Sequence, residues 1–452
     1  VSAIESIYCE RLCASPHAAG LFARAGRLPW AVWLDSGGSD RWSIMAVSPR
    51  ATVTVRGRVT EVAGAGGVRR SFEDPFAVVR AMLPSLPADT SLPFAGGAVG
   101  YCAYDLGRRI NGLPMLSAGQ GPEPDMAMGV YDTAVLHDHH AAECLLVGYG
   151  NDARARAVRS FWKEAAGAAG SAYGPGAFEL TRPLLPVLER ARYVRAVERI
   201  KRYIYAGDCY QVNFAQPFRA RISGDPLALY GRLRERARAP FGAYLNLPFA
   251  QVLSASPERF LEVVGDAVET QPIKGTRPRA DDPAADAAYA SALRESPKDR
   301  AENLMIVDLL RNDLGRVCRT GSISVPALFE LRSYSNVHHL VSTVRGQLRN
   351  DADAWDALAA CFPGGSITGA PKRRAMEIID ELECRPRGVY CGAIGYCSAH
   401  GAMDMNIAIR TMVHRRGEVQ VWGGGGIVAD SDPEAEYRES LDKTSGFRAV
   451  LS

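Results

Sequence analysis

Apolar and polar positions change rhythm near residue 165. Upstream, short runs such as Ala51-Thr52-Val53-Thr54-Val55 alternate apolar and polar residues, the two-residue period of a strand. Glycines punctuate this region, as in Gly96-Gly97-Ala98-Val99-Gly100-Tyr101. The run Ala165-Ala166-Gly167-Ala168-Ala169-Gly170-Ser171-Ala172, followed by Gly174-Pro175-Gly176, has the composition of a weakly structured tether. Beyond it, Val194, Val197, Ile200 and Ile204 recur at helical spacing with Gly207 as a C-terminal stop, and Asp225-Pro226 opens a helix with Leu229, Tyr230 and Leu233 on one stripe. The pattern predicts an N-terminal region (1–165), a linker (166–185) and a larger region (186–452) that carries the chemistry. No repeat at the periods of solenoids is present. Periodicity alone specifies only a mixed α/β protein.

Two later helices carry acids on defined faces. Ser296-Pro297-Lys298-Asp299 combines an N-cap, a first-turn proline and an acidic third position, and Leu304, Val307, Leu310 and Leu314 predict the buried stripe. Asp299 and Glu302, three apart, share a face with Asn303 beside them. Ser431-Asp432-Pro433-Glu434 starts another helix, on which Glu436, Glu439 and Lys443 fall on one face. On pattern alone, each set reads first as a solvated surface stripe.

Between these helices lie glycine-rich strand ends. Val419-Gln420-Val421-Trp422 alternates like a strand and runs into Gly423-Gly424-Gly425-Gly426-Ile427, where a backbone can approach a ligand and offer N–H groups to an anion. Phe362-Pro363-Gly364-Gly365-Ser366-Ile367-Thr368-Gly369-Ala370-Pro371-Lys372 leads into a helix with Met376, Ile379 and Leu382, whose N-terminus suits a carboxylate or phosphate. Neither segment has the spacing of a nucleotide-binding loop. In the predicted strand Met403–Arg410, Asp404, Asn406 and Arg410 share the face opposite the apolar odd positions. Arg410 there either clamps a carboxylate or pairs with Asp404. Val389–Tyr396 reads as a neighbouring strand with glycines that leave room beside it.

Composition narrows the classes. The 452 residues are 47% hydrophobic and 23% charged, with a formal charge of only +3, which argues against a nucleic-acid binder or a polybasic membrane anchor. No apolar run approaches the ~18 residues of a membrane span. Val1-Ser2-Ala3-Ile4-Glu5 has neither the basic stretch nor the apolar core of a secretory signal, so a cytosolic protein is expected. Ten cysteines form no C-x-x-C pair and eight histidines form no zinc pattern, so the cysteines are expected to be small buried hydrophobes and zinc is not expected.

Pro272-Ile273-Lys274-Gly275-Thr276-Arg277-Pro278-Arg279 resembles a motif of the chorismate-utilising enzymes, which include anthranilate synthase component I, isochorismate and salicylate synthases and aminodeoxychorismate synthase component I. The resemblance continues through Asp299–Asp313, Asn336–Thr343, Phe362–Lys372, Tyr390–Tyr396, Arg410 and Gly423–Lys443, and reaches back to Gly96–Tyr101 and Asp105-Leu106-Gly107-Arg108-Arg109. It implies an α+β fold of two large packed antiparallel sheets flanked by outer helices. Lys274, where anthranilate synthases carry alanine, and Ser256-Pro257-Glu258-Arg259-Phe260 resemble the aminodeoxychorismate branch. That branch converts chorismate and ammonia to 4-amino-4-deoxychorismate, toward 4-aminobenzoate and folate. The rivals are anthranilate synthase component I, which also eliminates pyruvate, and a non-catalytic tryptophan-binding subunit on the same scaffold.

The resemblance also implies roles. Lys274 would attack ring carbon 2 and expel the 4-hydroxyl, after which ammonia adds at carbon 4 and expels the lysine, with Glu258 as general base. The bland alternative for Lys274 is a loop lysine that is solvated or only binds a carboxylate. His339 would protonate the departing hydroxyl, the alternative being a core histidine, which is the reading for His338. Chorismate carries two carboxylates, so acids in its pocket need a hard bridging cation such as Mg²⁺. By resemblance Glu302 and Glu439 ligate it directly, and Asp299 and Glu436 hold its waters, so the two helix faces must meet. Arg410 and Tyr390, with N–H groups around Gly424, Gly425 and Gly426, would clamp the enolpyruvyl carboxylate. Gly275, Thr276 and Ser366 would line the pocket, and Lys443 would sit near the ring carboxylate. No glutaminase triad occurs in the chain, which implies a separate glutaminase subunit supplying ammonia. Trp33-Leu34-Asp35-Ser36 and Ala239-Pro240-Phe241 resemble a tryptophan-binding region, with Ser36 and Pro240 as candidate pocket residues and Asp35 where glutamate is common.

Overall fold

The computed structural model describes residues 7–14, 18–87, 91–114, 119, 121–167, 176–334 and 337–452. Val1–Glu5, the middle of the predicted tether (168–175) and Asn336 lie outside the described residues.

Two twelve-stranded sheets, antiparallel throughout the described pairings, form the body. One runs from the edge strand Tyr8–Ala14 through Ala31–Asp35, Phe241–Leu247, Ala250–Ser256 and Glu418–Ile427 to Gln211–Gly224 and Phe178–Pro186. The other runs from Ile273–Pro278 through Val337–Gln347, Arg259–Val264, Met403–Ile407 and Gly97–Cys102 to Gly67–Ser71. This is the architecture that the resemblance implies. Strands from before residue 165 fill one contiguous half of each sheet and strands from after residue 176 the other, and the halves are joined where Ala31–Asp35 pairs with Phe241–Leu247 and Gly97–Cys102 with Ala393–Ser398. The tether's ends are regular: Ala165–Gly167 closes the helix Ala153–Gly167, and Phe178–Pro186 is a strand.

Neighbouring residues of one strand serve two cores because successive side chains leave opposite faces of a sheet. Val32 and Val252 meet Tyr101 and Ile394 of the other sheet in a buried layer between the sheets. Trp33 and Leu253, one residue on, pack outward with Leu21, Trp162, Leu229 and Phe447 from helices. Cys102, Leu261 and Met403 pack the second sheet's outer face against Ile306, Leu310, Ile379 and other helical residues. Seven of the ten cysteines are buried, Cys13 is half-buried, and Cys9 and Cys384 are exposed. Among the described residues no helix is long and apolar enough to cross a membrane.

The helix Pro297–Gly315 starts on its predicted cap, the Ser296 hydroxyl accepting from Asp299 N at 3.3 Å. Its buried stripe is rotated from the predicted one: Leu304 is 46% exposed, while Asn303, Ile306, Val307, Leu310, Asp313 and Leu314 are buried. Two polar groups turn the helix inward. Asn303 donates to Leu340 O (3.3 Å) and accepts from Ser342 Oγ (2.5 Å), and Asp313 pairs with Lys372 at 2.6 Å.

The predicted strand Met403–Arg410 ends at Ile407. Asp404 pairs with Arg259 at 3.0 Å, and Arg410 adopts a left-handed φ of 52° beyond the strand, so the Arg410–Asp404 bridge does not form. Val389–Gly392 is a turn, and the strand there begins at Ala393.

Candidate active site

Lys274 owes its position to an irregularity. In Ile273–Pro278, Ile273 pairs with Val341 and Thr276 with His339, and the register shifts between them. Such bulges re-aim a side chain. Gly275, at φ 85°, completes the turn, and a Cβ there would lie 3.0 Å from the Asp299 side chain. Lys274 Nζ donates to Ser366 O at 3.0 Å. Burial holds its pKa below the ordinary lysine value, reinforced by Lys443 and opposed by Glu302, Glu258 and Glu439.

Glu258 occupies the crossing from strand Ala250–Ser256 of one sheet to Arg259–Val264 of the other. Its backbone is fixed by Ile407 N donating to Glu258 O (3.0 Å) and by its own N–H donating to Ser256 Oγ (3.2 Å). Burial pushes its carboxyl up to about 7, against the pull of the Ser366 hydroxyl and Lys274. A carboxyl at that value accepts a proton at neutral pH.

The two acidic helix faces meet. On the Pro297 helix, Asp299 pairs with Arg277 at 3.1 Å and Glu302 lies 4.0 Å from Lys298. On Pro433–Asp442, Glu436 accepts from Ser431 Oγ at 2.7 Å and Glu439 pairs with Lys443 at 2.6 Å. Burial raises Glu302 and Glu436, and Glu439 adds to both shifts. For Glu439 itself, burial is outweighed by Lys443, Lys298 and Lys274, and its pKa is lowered. Gly425 permits this approach: a Cβ there would stand 3.1 Å from Glu439 Oε1 and 3.2 Å from Glu436 Oε2. Gly424 and Gly426 serve the neighbouring strand instead, where a Cβ would strike Phe214 O and Gln211. Among the described residues no three His, Cys, Asp or Glu side chains enclose a metal by themselves. The donor set fits a hard divalent ion that completes its shell with water and an anionic ligand, because it is all oxygen, doubly anionic at its centre and partly buried.

Arg410 is exposed at the rim of the site and donates to Lys443 O, with Tyr390 and Glu439 acting on its guanidinium. Tyr390 stacks on Trp422 at 5.5 Å between ring centres. His339 is bonded through Nδ1 to Thr276 Oγ1 at 2.9 Å, and burial, with Arg410 beside it, lowers its pKa to about 4. The ring is therefore neutral at pH 7, and any proton it supplies comes from a neutral N–H. His338 is buried and bonded to Ser333 (2.7 Å) and Asp286 (3.0 Å), the core role expected of it.

Lys372, at the N-terminus of Lys372–Glu383, turns inward to Asp313 and to Cys361 O (2.7 Å). Gln211 was not singled out by sequence. It is buried against Gly426, and neither end of its amide has a hydrogen-bond partner among the described residues. Gln211 and Asn213, polar residues interleaved with Val212, Phe214 and Ala215 at the start of strand Gln211–Gly224, were the available signal.

Ser36 and Pro240 lie in segments that run side by side. Asp35 pairs in register with Gly242, and Gly37 lies against Ala239. The Asp35 carboxylate is buried and engaged by Arg234, whose guanidinium lies 4.9 Å from the Trp33 ring centre. A surface cleft of about 380 Å³ lined by Arg56, Phe249, Gln251, Arg415 and Arg416 includes none of the candidate residues.

A lysine with a lowered pKa, a buried carboxyl near 7, facing carboxylate helices and an arginine beside a glycine strand define an enzyme site for a small anionic molecule. The chain belongs to the chorismate binding enzyme family, whose profile matches residues 30–449. It is 45% identical to aminodeoxychorismate synthase component 1 of Salmonella typhimurium, over 94% of this chain and 93% of the relative. It is 42% identical to anthranilate synthase component 1 of Streptomyces coelicolor, over 84% and 77%. The crystal structure of anthranilate synthase component I from Streptococcus pneumoniae superposes with a TM-score of 0.77 at 32% identity, covering 90% of this chain and 92% of that one.

Proposed function

We propose that this chain aminates chorismate at ring carbon 4, giving 4-amino-4-deoxychorismate. The observation that carries the reading is Lys274 itself: a bulge-aimed amine with a lowered pKa, held by Ser366 O with Glu258 at hand. Identity of 44–45% to three relatives named aminodeoxychorismate synthase component 1 supports it.

Hydroxide is a poor leaving group, and the proposed route divides its displacement into two steps. Once deprotonated, the Lys274 amine adds to carbon 2, the ring double bond shifts, and the 4-hydroxyl departs as water, with the His339 ring donating one proton and taking back the one that the Lys274 nitrogen loses. Glu258 takes a proton from ammonia as it adds at carbon 4 and passes it to the Lys274 nitrogen as the shift reverses and the bond to carbon 2 breaks. Arg410 and Tyr390 hold the enolpyruvyl carboxylate, and Lys443 offsets the ring carboxylate. Glu302 and Glu439 would ligate Mg²⁺ with Asp299 and Glu436 on its waters. Bound there, the ion would let two anions share a pocket lined with acids. The name component 1 on the relatives supports a separate subunit that supplies ammonia, here a glutaminase. Ten free thiols fit a cytosolic setting. Tryptophan at Ser36 and Pro240 is the remaining partner reading.

Incubation with chorismate, ammonium and Mg²⁺, followed by mass spectrometry, tests the assignment. The expected product is 4-amino-4-deoxychorismate. The anthranilate synthase relatives support the rival reading, under which fluorescent anthranilate forms directly without a lyase. No loss of chorismate at all would point to the non-catalytic subunit.

A further inference from the structure

We infer that the buried Arg387–Glu383 ion pair is a positioning element that sets the loop beneath Lys274 in register with the glycine strand. The inference rests on the proposed role of Lys274. Both side chains are 1% exposed, and they straddle the end of the Lys372–Glu383 helix, where Cys384 takes a left-handed φ of 53°. Arg387 uses four of its five N–H groups. Nε and Nη2 donate to the two Glu383 oxygens (2.9 and 2.7 Å), Nη1 to Ile367 O (2.9 Å) and Nη2 also to Asn213 O (2.7 Å).

These acceptors belong to the site's two walls. Ile367 follows Ser366, the residue whose carbonyl holds Lys274 Nζ. Asn213 pairs with Gly426, and Ala215, whose N–H donates to Glu383 at 2.9 Å, pairs with Gly424. Asn213 N also donates to Thr368 O at 2.8 Å, closing the link between loop and strand. The guanidinium lies 4.6 Å from the Tyr104 ring centre and 5.9 Å from that of Tyr390. A planar fork can serve these divergent acceptors at once, whereas an ammonium is a single point. Neither residue is among those assigned to substrate, so the pair acts through Ser366 and the glycine strand.

A merely structural pair and a positioning pair respond differently to apolar replacement. Well-packed apolar residues often restore or exceed the stability of a buried ion pair, but they cannot donate to Ile367 O or Asn213 O. In the full-length chain, Arg387→Met with Glu383→Leu is expected to melt below wild type, because Ile367 O, Asn213 O and Ala215 N lose these partners. It should melt above Arg387→Met alone, which also strands the Glu383 carboxylate. The double variant's kcat for ammonia-dependent chorismate loss should fall about 100-fold, the order expected of a 1 Å misplacement, and by more than KM changes. Amide exchange should quicken in residues 362–372 and 211–216. Arg387→Lys is the second arm should the double variant not fold, with the same expectation for kcat and exchange. Either variant, folded and with wild-type kcat and exchange, overturns the inference. Lys274→Ala run alongside reports on the nucleophile separately: wild-type turnover there removes the reading beneath, while exchange in the Arg387 variants still reports on the brace.

Discussion

Two lysines enclose the same loop and meet opposite fates. Lys372 is 8% exposed and contacts Asp313 and Cys361 O directly, so its charge is matched and its amine committed. Lys274 contacts one carbonyl, and the acids around it act at longer range, too weakly to offset burial. A buried lysine with a carboxylate in contact is a strut. One held by a neutral carbonyl, among carboxylates that stop short, loses its proton more readily.

The contrast is tested most strongly by truncating each lysine. Lys274→Ala should abolish product formation and leave the melting temperature near wild type. Lys372→Ala should instead cost about 1–3 kcal/mol in a urea titration, because buried Asp313 keeps only Arg316 at 3.2 Å and Cys361 O loses its donor. Glu302→Ala should eliminate Mg²⁺-dependent turnover, and full activity in that variant would remove the assignment of Glu302 as a ligand.

A pH profile gives a smaller effect. Glu258 titrates near 7, so as a base it is protonated and inactive below that value and ionised above it. Plotted against free ammonia, kcat/KM should rise through about pH 7, and Glu258→Gln should remove that inflection while lowering the plateau by about 10²–10⁴-fold. Leu304→Ser, at an exposed position, should change stability by less than about 0.5 kcal/mol. A core-sized loss would restore the predicted stripe.

Much of this site was legible because its signals are local. Ser296-Pro297 and Asp432-Pro433 announce helices whose caps fix where Asp299, Glu302, Glu436 and Glu439 fall. What was illegible depended on long-range pairing. Leu304 was misassigned because the helix is turned inward by Asn303 and Asp313, whose partners lie 37 to 59 residues away. Arg410 left its predicted strand because the chain bends after Ile407, where Ile407 N bonds Glu258 O and Ala255 N bonds Arg410 O. Periodicity did not separate the two sheets from a parallel architecture, because strands such as Ala31–Asp35 are buried on both faces. The family resemblance supplied what the pattern did not.

The most direct measurement is the mass of the peptide carrying Lys274 after exposure to chorismate and Mg²⁺ without ammonia. The account predicts a gain equal to chorismate less one water, located on Lys274 and absent from Lys372. An unmodified Lys274 peptide in an enzyme that forms 4-amino-4-deoxychorismate once ammonia is added would contradict it.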